Sequence, residues 1–99
     1  MAEEISPCKC VETAIHVVRN LDDARRLMRL RAVSRALIHA DFAKEEMPKF
    51  EECLGVDLAE ARRNLEKARE HQAEPEESRR WLERGWRFFM RSIRECTRH

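Results

Sequence analysis

The stretch that decides the fold is PEESRRWLERGWRFFMRSIREC, residues 75–96. Within it Leu82, Trp86, Phe89, Ile93 and Cys96 recur at spacings of four, three, four and three, and Arg80, Arg84, Arg87, Arg91, Arg94 and Arg98 keep a similar rhythm. At about 100° per residue the two sets occupy opposite faces of one helix. One face requires apolar neighbours, and the other offers a row of guanidinium groups. Pro75, followed by Glu76 and Glu77, is a suitable first turn for it.

Upstream, the same period predicts three more helices. Ser6 and Pro7 form an N-cap and first-turn pair for a helix ending near Asn20, with the stripe Val11, Ala14, Ile15, Val18 and Leu21. Asp22 and Asp23 supply N-terminal acid for a second helix, whose face is Leu27, Leu30, Val33, Leu37 and Ile38 and which Pro48 should stop or kink. A short additional helical turn is expected at residues 48–54, closed by Gly55. Asp57 and Glu60 form a capping box for a third helix carrying Leu58, Ala61, Leu65 and Ala68. No strand pattern competes. The expected fold is all-α, an antiparallel four-helix bundle forming a single domain over residues 1–99, with two long helices projecting beyond two short ones.

Composition narrows the functional classes. Twenty basic and nineteen acidic side chains give a formal charge of +1, so no global field draws the chain onto nucleic acid. Sixteen of the basic residues are arginine, beside one glutamine and two asparagines, a bias shared with heat-adapted proteins and with high-GC coding. The opening residues lack the pattern of a signal peptide, and no apolar run reaches membrane-spanning length, so a cytoplasmic protein without membrane contact is expected.

Charge is segregated along the chain. Residues 78–99 carry seven arginines and two glutamates, whereas residues 41–60 carry seven acids and two lysines. Arg80, Arg84, Arg87, Arg91 and Arg94 are therefore the candidate contact for an acidic or phosphate-bearing partner, because guanidinium pairs bidentately with oxyanions. The competing reading is a solvated helix face laced with local ion pairs. Nucleic acid is the less favoured partner, since a second basic element with interleaved aromatics is missing. Trp81 and Phe88 widen the apolar arc of the last helix, and Ser78, Gly85 and Ser92 place small residues between them. Trp81, Gly85, Phe88 and Ser92 are thus candidates for self-association as a homodimer, unless this helix is simply the most central of the four.

The cysteines are the other chemical lead. Cys8, Cys10, Cys53 and Cys96 should tend towards one end of an up-and-down bundle, which leaves three readings open: free thiols, a disulfide, or a zinc or iron–sulfur site. Paired Cys-x-x-Cys knuckles are absent, and Cys53 with Cys96 is the favoured pair. His16, His39 and His71 fall off the apolar stripes of their helices, and Asp41 lies within one, where a salt bridge to an arginine is expected. No phosphate loop or nucleophile elbow is present, so no cofactor is called for and a non-enzymatic protein is favoured. One six-residue element, Arg94 to His99, resembles the Arg-x4-His element of helical HEPN-type ribonucleases, with Glu95 after the arginine. That resemblance implies paired action of Arg94 and His99 on RNA phosphate. The working hypotheses are a small self-associating interaction protein and a thiol-centred metal or redox protein.

Overall fold

The computed structural model describes residues 11–97, and within them the chain forms four helices: α1 (Val11–Arg29), α2 (Val33–Leu54), α3 (Ala59–Glu70) and α4 (Pro75–Thr97). Residues 1–10, with the expected Ser6–Pro7 cap and Cys8 and Cys10, and residues 98–99 lie outside the described part. No strand occurs among the described residues. The architecture is the all-α bundle expected from the periodicity. α1 packs closely along α2 and α3 along α4, while thinner contacts join the two hairpins.

The boundary between the first two helices is a correction. α1 does not end near Asn20; it continues to Arg29, because its buried stripe of Ala14, Val17, Leu21, Ala24 and Met28 runs unbroken past the two aspartates. Asp22 and Asp23 sit in mid-helix instead and pair with Arg25 (4.0 Å) and Arg26 (3.3 Å) one turn on. Leu30 and Ile38 are exposed rather than core.

The break falls at residues 30–32, where Arg31 takes the left-handed conformation with φ 67°. The Arg31 amide donates to Met28 O (3.0 Å) and the Ala32 amide to Leu27 O (2.9 Å). That pair of bonds is a Schellman stop with arginine at the position glycine usually holds.

A second correction concerns residues 48–54, which form no separate turn. α2 passes through Pro48 without interruption. Proline lacks an amide to donate to Lys44 O, and Pro48 itself is exposed. Buried Met47 and Phe50 on either side hold both halves of the helix to the core. Gly55, at φ 70°, closes α2 with its amide on Glu51 O (2.7 Å). Three helices of 19, 22 and 23 residues therefore accompany one of 12, in place of the expected two long and two short.

α3 begins at Ala59 with Leu58, not Asp57, at the N-cap position, and Asp57 Oδ1 accepts the Ala59 amide (2.9 Å) from just outside the helix. The reciprocal half of the capping box is replaced: Glu60 bonds Arg63, and Glu51 of α2 reaches across to accept the Leu58 amide (2.6 Å) and the Arg62 guanidinium. α4 is one uninterrupted helix, with Leu82 and Phe89 fully buried and the Phe89 ring 5.3 Å from that of Phe50.

The long-range ion pairs located among the described residues join one hairpin to the other. Arg25 meets Glu83 (2.9 Å), Arg69 holds Asp41 (2.6 Å), Arg62 holds Glu51, Lys44 approaches Glu66 (3.9 Å) and Arg31 approaches Glu76 (3.8 Å). Pairing of 31 with 76 and of 25 with 83 sets α4 antiparallel to α1, and pairing of 41 with 69 and of 51 with 62 sets α3 antiparallel to α2. The shared apolar core, including the Phe50–Phe89 contact, and these ion pairs together join the two hairpins.

Candidate functional site

Gly85 determines how α3 lies on α4. It is buried, and a Cβ at this position would stand 2.8 Å from Leu65 Cδ2 and 3.2 Å from Ala61 O. Seven residues earlier the buried Ser78 hydroxyl donates to Ala68 O (2.7 Å). Two of the small residues on α4 are thus occupied by α3 of the same chain. This close approach leaves Trp81 and Phe88, both half-buried, along the seam where α3 and α4 meet.

The seam opens into a groove of about 390 Å³ lined by Arg63, Asn64 and Lys67 of α3 and by Trp81, Arg84, Arg87, Phe88 and Arg91 of α4, with Glu60 at its edge. A second concavity of about 450 Å³ continues around α4 past Trp81 to Arg80 and Glu77. Two cations flank Trp81, the Arg84 guanidinium at 5.1 Å and the Lys67 ammonium at 5.9 Å from its ring centre, and the His71 ring stacks on it at 6.3 Å. Arg91 lies 5.5 Å from the Phe88 ring. The Trp81 indole nitrogen is buried and has no hydrogen-bond partner.

Charge pairing divides the cations of this groove. Glu60 is engaged by Arg63, and Lys67 lies 3.8 Å from Glu70. Arg84, Arg87 and Arg91 are exposed and form no ion pair with the described residues. Arg80, in contrast, lies 3.8 Å from Glu77, and Arg94 has interactions of its own. Among the described arginines of the row, Arg84, Arg87 and Arg91 thus stand apart as three guanidinium groups without acid partners among the described residues, beside two aromatic rings. Such a surface attracts anions and offers apolar area beneath them.

The other sequence candidates are placed as follows. Trp86 faces the opposite side of α4, covered by the Arg25 guanidinium at 3.8 Å, and its indole nitrogen is also buried without a partner. Ser92 is half-buried and donates to Phe88 O (3.3 Å). Asp41 accepts two bonds from Arg69, at 2.6 and 3.3 Å, as its position within an apolar face required. Cys53 is disulfide-bonded. No group of three metal-ligating side chains occurs among the described residues. His99, needed for the Arg-x4-His element, lies outside them.

Sequence reasoning named only the α4 side of the groove. Arg63 and Lys67 were missed, although Glu60, Arg63, Asn64 and Lys67 follow a helical period of their own beside the Ala61–Leu65–Ala68 stripe. No helix among the described residues is long and apolar enough to cross a membrane. No family model matches the chain, and neither a curated protein nor a solved structure is significantly similar to it.

Proposed function

We propose that this chain is a small, non-enzymatic interaction protein whose α3/α4 groove receives an acidic amphipathic helix of a partner. One observation carries the reading: Arg84, Arg87 and Arg91 have no carboxylate among the described residues, yet they flank half-buried Trp81 and Phe88 in a chain whose other hairpin contacts are tied by ion pairs. A helix laid along the seam would set apolar side chains on the two rings and carboxylates against the guanidinium groups, the helix-in-groove mode of recognition. A cytoplasmic location belongs to the same proposal.

The thiols are read as a structural staple, because Cys53 is already oxidised. Its proposed partner is Cys96. The Phe50–Phe89 contact brings the last turns of α2 and α4 to one end of the bundle.

Calorimetry with a synthetic helix bearing glutamates on one face and leucines on the other tests the reading. Binding is expected to weaken steeply with salt, and to fall at least tenfold in R84E/R87E/R91E while helicity is retained. Binding that survives the triple reversal would reduce the row to a solvated face. Tighter, salt-dependent binding of single-stranded RNA than of the peptide would replace the protein partner with nucleic acid.

A further inference from the structure

Besides Asp57 and Glu95, three exposed carboxylates form no ion pair with the described residues, and exposed Arg19, Arg29 and Arg35 are cations in the same state. Glu12, Glu45 and Glu52 are exposed and form no ion pair with the described residues. All three lie on the α1/α2 hairpin, towards the end away from the Arg31 turn. Exposed apolar side chains accompany them: Ile15 on α1, and Ile38 and Phe42 on α2, with Phe42 51% exposed. His16, Asn20, Phe42, Glu45 and Glu46 line a shallow groove of about 330 Å³ there.

The two surfaces share a spacing with opposite sign. On α2, Phe42 is followed by Glu45 three residues later and by Glu52 seven beyond that; on α4, Trp81 is followed by Arg84 three residues later and by Arg91 seven beyond that. Seven helical residues rise about 10.5 Å, so the two carboxylates and the two guanidinium groups recur at one pitch. An aromatic ring precedes each charged pair by the same fraction of a turn. Within one molecule the two stripes cannot meet, because one lies on the outer face of the first hairpin and the other on the seam of the second.

We propose that the partner for the α3/α4 groove is a second copy of this chain, docked through its α2 ridge of Phe42, Glu45 and Glu52. The inference rests on the groove being a docking surface for acidic helices and adds the identity of the helix. Matching pitch, opposite charge and exposed apolar area on both sides favour this occupant. The contact is heterologous, groove to ridge, so a bound pair leaves a free ridge on one copy and a free groove on the other, and association closes as a ring or propagates.

Two neutralised variants test it. E45Q/E52Q keeps the groove and loses the ridge; R84Q/R91Q keeps the ridge and loses the groove. All four positions are exposed, and circular dichroism checks that helicity is intact. Sedimentation velocity at low salt should show concentration-dependent assemblies of the native chain that dissociate at high salt. Each variant alone should associate at least tenfold more weakly, and an equimolar mixture should recover a 1:1 complex and stop there. A native chain that stays monomeric, or variants that fail to pair when mixed, would overturn the proposal. Equal loss in both variants with no recovery on mixing would point to a symmetric dimer instead. If the synthetic acidic helix still binds a monomeric native chain, only the self-docking is lost; if neither occurs, the groove reading falls as well.

Discussion

Replacing Gly85 by alanine sets two effects of known sign against each other. Alanine in the interior of a helix is favoured over glycine by about 0.8–1.0 kcal/mol. Against this, the new methyl group would stand 2.8 Å from Leu65 Cδ2, 3.0 Å from Leu65 Cγ and 3.2 Å from Ala61 O. Normal carbon contacts need about 3.5–4.0 Å, so α3 must retreat by roughly half an ångström or more. Leu65 is only 2% exposed, and the Ala61 oxygen is backbone, so neither has free space to move into. Overpacking of this kind costs about 1–3 kcal/mol, leaving a net loss of about 1 kcal/mol. For a domain of this size that lowers Tm by roughly 4–8 °C, readable by thermal circular dichroism. Had Gly85 served a contact with a second copy, G85A would raise monomer stability by its helix propensity and weaken association only. A rise in Tm would therefore refute the account of how α3 and α4 approach.

Other expectations follow from single backbone positions. R31G should stabilise the chain by about 1 kcal/mol, because glycine meets no steric penalty at φ 67°; chemical denaturation measures it, and a loss would show that the Arg31–Glu76 contact outweighs the strain. P48A should raise stability by about 1–3 kcal/mol by restoring a helical donor at an exposed site, and unchanged stability would mean that α2 is already distorted there at no cost. Peptide mapping without reductant should recover Cys53 joined to Cys96, and C53S should lower stability by about 2–4 kcal/mol. Recovery of Cys53 with Cys8 or Cys10 would instead assign the staple to the start of the chain.

The apolar period made α4 legible residue by residue, since a helix buried along most of its length must keep its stripe. The α1–α2 junction was harder. Acidic pairs mark helix starts, but Asp22 and Asp23 serve equally well in mid-helix when Arg25 and Arg26 follow at helical spacing. The true stop has no glycine, only Arg31 held in the left-handed region by two bonds to the helix end. Proline at 48 is a breaker by rule, yet α2 runs through it, with buried Met47 and Phe50 holding both halves to the core. At the candidate site, the α4 residues could be read from one stripe, whereas Arg63 and Lys67 enter only through the packing of two helices. Gly85 was readable as a point of close approach, but not which helix would make it.

The chain carries its own control for the central claim. Trp81 lies in the α3/α4 groove, and Trp86 lies on the opposite side of α4 beneath Arg25. Proton–nitrogen correlation spectra of the labelled protein resolve one indole signal for each. Titration with the acidic helix peptide should move the Trp81 indole together with the backbone amides of Arg84, Arg87, Phe88 and Arg91, and leave the Trp86 indole in place. No shift at Trp81, or an equal shift at both tryptophans, would contradict the assignment of this groove as the docking surface.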